Sequence, residues 1–195
     1  MFHMKQQDYF SLYRELLQKW QKAVNLVAPS TLSDIENRHF LDSAQLYQYI
    51  PKSAKTLVDM GSGAGFPALV LAILNQVNQG PLKNIYLIES DTKKSLFLKE
   101  VIRQLNLPVT VLNQRIESVQ NMQADVITAR ALAPLSELLK LARPFICKNS
   151  ICLFLKGKTV DDEINENKIP CQIEKIPSRV HAHGCILKIT EVSND

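Results

Sequence analysis

Asp59-Met60-Gly61-Ser62-Gly63-Ala64-Gly65 places three glycines at alternate positions just after an acid. Glycine takes backbone conformations barred to other residues and leaves no side chain to hold a ligand away from the chain. The turn follows a strand-like run, Lys55–Met60, and precedes a helical one, whose N-terminus presents free N–H groups. Such a turn is a nucleotide site at the carboxyl end of a first strand. Its spacing discriminates between ligands. A dinucleotide site needs G-x-G-x-x-G, and the third-glycine position here is Phe66. Asp59 would repel a pyrophosphate but suits a cationic ligand that carries an amino acid. These residues point to S-adenosylmethionine as cofactor, bound at Asp59 and the turn of Gly61, Gly63 and Gly65.

Other polar groups stand at the ends of further apolar runs. Glu89 closes Asn84–Glu89, where a carboxylate can accept from both ribose hydroxyls. Asp91 is the rival for that role. Glu89 is favoured because it directly follows the strand, whereas Asp91 suits a helix cap. Ile116 and Glu117 follow Val109–Leu112 and offer an apolar neighbour and an acceptor to an adenine. Arg130 follows Ala124–Thr128 in apolar surroundings, where a guanidinium should be held by a carboxylate or phosphate.

The elements that position these groups are legible as alternating strands and helices. Phe10, Tyr13, Leu17, Trp20 and Val24 recur at helical spacing. A second helix is expected from Ser33 to Tyr49, with Ser33 and Glu36 at capping-box spacing. Residues 1–53 are read as a helical cap and 54–195 as the main domain of one compact unit. Strands are expected at Lys55–Met60, Asn84–Glu89, Val109–Leu112, Ala124–Thr128 and Ser150–Leu155. The helices between them run from Pro67 to about Asn75, Lys93 to Leu105, and Pro134 to Arg143. Asn75–Lys83 reads as a loop insertion. Alternation of this kind gives parallel strands with crossover helices. Gln172–Val180 and Cys185–Glu191, with no helix between them, are expected as an antiparallel hairpin at the sheet edge. The fold class is α/β: a Rossmann-like, mostly parallel sheet.

Composition narrows the function classes. The chain has 195 residues, a formal charge of +4 and 46% hydrophobic residues, the balance of a globular domain. Its longest apolar run, Phe66–Leu74, is far short of the roughly 18 residues a membrane span needs. The first residues, MFHMKQQD, lack the apolar stretch of a signal peptide. Cys147, Cys152, Cys171 and Cys185 form no C-x-x-C pair and are read as small buried hydrophobes in a reducing, cytoplasmic compartment. His181 and His183 alternate on one strand face, but no further ligands complete a metal site, and no metal is expected.

The chain resembles a known family at the residues that carry the chemistry. Asn25-Leu26, Arg38-His39-x-x-Asp42-Ser43, the glycine turn through Phe66-Pro67, Glu89-Ser90, Lys93-Lys94, Arg115-Ile116-Glu117, Arg130-Ala131 and Lys156-Gly157 are similar to the RsmG/GidB family of bacterial ribosomal RNA methyltransferases. The glycine turn alone is common to all class I methyltransferases; its joint occurrence with the other motifs is far more specific. The resemblance spans about residues 8–191. It implies a class I methyltransferase that moves a methyl group from S-adenosylmethionine to N7 of one guanine in 16S rRNA. It also implies that Gly61, Phe66, Ile116, Glu117 and Arg130 contact the cofactor. Ala68 departs from the glycine that many members carry there, and an alanine is tolerable inside a helix.

Guanine N7 has a lone pair and no proton to remove, so in-line placement suffices and no general base is required. Neither an N/D-P-P-aromatic motif nor a Pro-Cys nucleophile follows the fourth strand. Arg130 and Lys156 are the catalytic candidates, and neither is assigned a chemical role. Arg38, His39, Lys93, Lys94, Lys156 and Arg179, with Lys158, are candidate contacts to 16S rRNA or a small-subunit particle, although Arg38 and Asp42 could instead pair on a helix surface. The chain is expected to act as a monomer. A nicotinamide-dependent oxidoreductase and a non-catalytic RNA-binding module are the other readings. Phe66 and Asp59 argue against the first, and the complete glycine turn against the second.

Overall fold

The structure, a computed structural model, describes residues 2–193, with side chains from residue 6. Seven strands form one sheet: β1 Thr56–Met60, β2 Asn84–Ile88, β3 Val109–Leu112, β4 Ala124–Arg130, β5 Ile146–Lys156, β6 Gln172–Pro177 and β7 Cys185–Thr190. Their order is β3-β2-β1-β4-β5-β7-β6. The first five pair in parallel, whereas β7 runs antiparallel to both β5 and β6. The direction reverses at β1, with β2 on one side and β4 on the other. In an open α/β sheet that switch point opens a crevice at the carboxyl ends of the strands.

The long helices are α1 Phe2–Gln21, α3 Ala68–Val77 and α4 Thr92–Leu105; α2, Asp42–Ala44, is a single short turn. α5 Leu135–Ala142 and α6 Val160–Glu166 follow later in the chain. Hydrophobicity decides where they sit. α3 is apolar almost all round and is buried along its length. It must therefore be covered on both sides, by the sheet and by α1, which packs on α3 and α4. Tyr13, Leu17, Phe40 and Leu46 share one core with Leu69, Ile73, Phe97 and Leu98. A second core on the other side of the sheet joins Leu135, Leu139, Phe145, Phe154 and Leu187. Among the described residues no helix is long and apolar enough to cross a membrane.

Several elements differ from expectation. The helix expected over Ser33–Tyr49 is broken into four pieces. A 3-10 turn, Pro29–Asp34, leads into a π-helical segment, Glu36–Leu41, then α2 and a second 3-10 turn, Tyr47–Tyr49. Ser33 caps nothing, because helical turn already begins at Pro29. The wider π turn lets the adjacent residues His39 and Phe40 both bury. α3 continues past Asn75 to Val77. Asn75 is buried within it and bonds both N–H and C=O of Leu82, so only the following residues form the loop. β5 starts at Ile146, before the expected Ser150, across an irregularity in its pairing with β4. β6 stops at Pro177, which leaves His181 and His183 in the turn before β7 and not on a strand. Helix α6 had no counterpart in the sequence reading. Only Val160 in it is buried, and its first turn carries Asp161, Asp162 and Glu163, which favour a helix N-terminus. Of the cysteines, Cys152 and Cys185 are buried, while Cys147 and Cys171 are only half-buried.

Candidate functional site

The turn after β1 shapes the floor of a cavity of about 430 Å³, within the roughly 300–1,000 Å³ of small-molecule sites. Gly61, Ser62, Gly63, Ala64 and Phe66 form one wall, and Ile88, Glu89 and Ser90 after β2 form the next. Ile116 and Glu117 after β3, with Arg130 to Ala133 after β4, complete it. The walls thus come from four consecutive strand ends. Gly63 shows why the turn is glycine. Its φ is +55°, and a Cβ built there would meet nothing nearer than the Gly61 carbonyl oxygen at 3.9 Å. The backbone is bare where a ligand would lie against it.

Glu89 is buried at the cavity wall and is fixed by its neighbours. The N–H of Gly63 donates to its Oε2 at 2.7 Å, and the N–H of Asp91 to its Oε1 at 2.7 Å. Each oxygen keeps acceptor capacity for a hydroxyl from the cavity side. Asp91 instead caps α4, accepting from Lys94 N. Asp91 is thus the helix cap that its position in the sequence suggested.

Two expected cofactor residues lie elsewhere. Asp59 does not line the cavity. It is buried beneath the turn, where Oδ1 accepts from Thr128 Oγ1 at 2.6 Å and Oδ2 has no partner among the described residues. The two residues are register partners on β1 and β4. Burial pushes its carboxyl up to about 6, against hydrogen bonds from Ser62 and Thr128. Gly65 also faces away from the cavity. A Cβ there would stand 2.5 Å from Leu69 Cδ1 and 2.6 Å from the Tyr13 hydroxyl, so its lack of a side chain serves helix packing.

Phe66 is the centre of an aromatic group that joins cap and turn. Tyr13 and His39 stack on it at 5.3 and 4.9 Å, Phe40 meets it edge-on, and the Arg130 guanidinium lies 5.0 Å from its centroid. The Tyr13 hydroxyl donates to Ala64 C=O inside the turn. Arg130 is half-buried and donates to Arg38 C=O at 3.2 Å. It makes no ion pair among the described residues, so no protein carboxylate holds it. Its charge remains free for an incoming anion. Ala131 follows with φ +51°, a left-handed conformation that costs a non-glycine residue about 1–2 kcal/mol.

A second cavity of about 560 Å³ opens beside the first, and Leu26, Arg130 and Ala131 line both. The cap supplies Thr31, Arg38, His39 and Asp42, the end of β5 supplies Lys156 and Gly157, and the hairpin turn supplies His181. Lys156 is held tightly here, bonded to Ala133 C=O at 2.9 Å and to Glu163 at 2.5 Å. Arg38 is exposed, and its expected surface pair with Asp42 is not formed, because Asp42 is buried and bonded to Gln45. His39 departs from its reading as an exposed RNA contact. It is buried against Phe66 with Nε2 2.8 Å from Thr31 Oγ1. Burial, with Arg130 and Arg38 nearby, lowers its pKa to about 3, so it is neutral. Lys94 reaches the wall of the first cavity, whereas Lys93, Lys158 and Arg179 are exposed and line neither. Sequence reasoning missed Leu26 and Ala131 as wall residues and Asp42 as a buried one. The R-H-x-x-D spacing was the available signal for Asp42.

Among known proteins, a family model described as rRNA small subunit methyltransferase G matches residues 6–188. A protein of Rhodospirillum centenum named ribosomal RNA small subunit methyltransferase G is 46% identical over 188 residues, covering 95% of this chain and 84% of that one. Its namesake in Paramagnetospirillum magneticum is 47% identical over 184 residues, 93% and 87% of the two chains. Of solved structures, a putative S-adenosyl-L-methionine-dependent methyltransferase from Methanococcus maripaludis superposes with a TM-score of 0.60 at 14% identity, covering 85% of this chain and 93% of that one. The ribosomal protein L11 methylase of Lactobacillus delbrueckii subsp. bulgaricus gives 0.58 at 16% identity over 76% of each chain. At those identities the likeness is one of fold.

Proposed function

The chain belongs to the rRNA small subunit methyltransferase G family, and from that premise we propose that it transfers a methyl group from S-adenosylmethionine to N7 of a guanine in 16S rRNA. It acts as a monomer in the cytoplasm, on the rRNA or a small-subunit particle. One observation carries the reading: two cavities meet at Arg130-Ala131, one floored by the glycine turn and the other lined by Arg38, Arg130 and the carboxylate of Asp42. Donor and acceptor can then face each other across a shared wall.

The residues of the first cavity fit the cofactor. Glu89 is set to accept from ribose hydroxyls, while Ile88, Ile116 and Leu132 offer an apolar slot for the adenine, with Glu117 at its edge. The bare backbone at Gly63 lets the ligand approach. Asp59, beneath the turn, supports it through Thr128 and does not touch the ligand. Bound S-adenosylmethionine supplies an electrophilic methyl group on a sulfonium. That methyl group would go to the lone pair of guanine N7, which carries no proton. No side chain need accept a proton. The protein's contribution is alignment and exclusion of water, to which effective molarities of roughly 10⁵ M or more can be ascribed. Arg130, in no ion pair among the described residues and beside both cavities, is suited to hold a carboxylate or phosphate. Lys156, already neutralised by Glu163, positions the second cavity wall and is not a free acid or base.

Deleting the gene and comparing N7-methylguanosine at each rRNA site by mass spectrometry tests the proposal. One such nucleotide in 16S rRNA should disappear and return on complementation. An unchanged pattern overturns it.

A further inference from the structure

The second cavity has a carboxylate whose bonding is incomplete, and its place suggests what it reads. Two carboxylates line that cavity. Glu163 is fully engaged, with Leu135 N–H at 2.8 Å and Lys156 Nζ at 2.5 Å on Oε2, and Thr159 Oγ1 at 2.8 Å on Oε1. Asp42 is buried to 8% exposure, and only its Oδ1 has a partner, Gln45 Nε2 at 2.8 Å. Its Oδ2 has none among the described residues. On a residue that lines the cavity, a carboxylate oxygen without a protein donor keeps its acceptor capacity for a donor that enters.

Asp42 is also held still. Gln45, its partner, donates to Ser178 Oγ and accepts from Arg179 N, both at 3.1 Å, and so ties the cap to the hairpin turn. Burial raises the Asp42 carboxyl, while Arg130, His181, the Gln45 bond and Arg38 oppose that shift. The acceptor is fixed in position at the cap wall of the cavity.

Guanine carries N7 and O6 acceptors on one edge and an N1–H with an N2 amino group on the opposite edge; only guanine adds an N2 donor. A guanine that turns N7 towards the first cavity turns its donor edge away from it, towards the cap. We propose that Asp42 is a specificity-determining residue that accepts the N1–H and N2–H of the target guanine. The inference rests on the guanine-N7 reading given above. Adenine would bring an N1 lone pair to the same carboxylate and no amino group beside it, and would be rejected.

The test uses the full chain and small-subunit rRNA ligated to carry guanosine or inosine, which lacks the N2 amino group, at the methylated position. Wild type should favour guanosine over inosine in kcat/KM by roughly 5- to 150-fold, the span of one good base contact. Asp42→Asn should lower guanosine use by a similar factor and bring the ratio towards one. Its S-adenosylmethionine affinity by calorimetry should stay unchanged, because Asp42 does not line the first cavity. Should Asp42→Asn not fold, Asp42→Ser gives the same ratio. Equal use of both substrates by wild type, or a wild-type ratio kept in the variant, overturns the assignment while the methylation reading stands. A wild-type protein that methylates neither substrate removes the reading and the assignment together.

Discussion

Gly63 and Gly65 are two residues apart in one turn and are constrained by different neighbours. Gly63 faces the cavity with free space ahead of it, whereas Gly65 is wedged against Leu69 and Tyr13. Gly63→Asp should therefore fold, since aspartate tolerates a left-handed backbone. It should lose about 100-fold or more in S-adenosylmethionine affinity by calorimetry, because an uncompensated charge in a closed site costs roughly 3 kcal/mol. Gly65→Ala should do the reverse. Overpacking and strain at φ +89° should cost at least about 2 kcal/mol in urea unfolding. Arg130→Ala should abolish methyl transfer while costing about 1 kcal/mol of stability, the scale of its stacking on Phe66. Wild-type turnover in that variant would make Arg130 a structural residue. The sequence could mark all three positions as special. It could not separate the glycine that meets ligand from the one that meets a helix, because both answers lie in residues distant along the chain.

At the scale of elements, the π-helical segment Glu36–Leu41 is the device that binds cap to turn. It places His39 and Phe40 against Phe66, and Arg14 of α1 pairs with Glu36 at its start. Burying His39 has a consequence for pH. An unfolded histidine titrates near 6.5, the folded one at about 3, so the unfolded chain binds more protons between those values. The histidine's contribution is complete above about pH 6.5 and falls as the pH drops. By about pH 5 the loss should be about 2 kcal/mol. Asp59 acts in the opposite sense, since its folded pKa of about 6 lies above the unfolded value. Chemical unfolding of His39→Phe at pH 7 and pH 5, compared with wild type, isolates the histidine's part. An unchanged pH dependence would show that His39 is not buried neutral in the folded protein. The strands were legible because each is an apolar run that must bury. The second half of the cap was not, because a π turn leaves no 3.6-residue period and its cause, Phe66, is far off in sequence.

For the whole molecule, the formal charge of +4 is spread along the chain and no segment is a basic tail. Folding leaves few free bases near the cavity mouths. Arg38, Lys94, Arg115 and Arg130 line them, while Lys156 is paired and His39 neutral. Lys93 and Lys158 are exposed in segments next to wall residues. With about six phosphate contacts, log affinity against log salt should slope no more steeply than about −5.4. Filter binding of 16S rRNA across a salt series measures this, and a slope near −10 would require a larger basic surface than the one described.

The amino-acid sequence by itself determined the seven strands, the glycine turn, Glu89 as the acid at the second strand end, and the family likeness. These are set by local pattern: apolar runs bury, and glycine permits a turn that other residues resist. Only the tertiary structure decided which groups face a ligand. Asp59 and Gly65 went beneath and behind the turn, His39 into the core, and Lys156 onto Glu163, while Asp42 and Arg130 kept unpaired atoms or charge at a cavity wall. The reason is that a side chain's exposure and partners depend on contacts between distant segments. Here the cap, laid over the switch point of the sheet, supplies them.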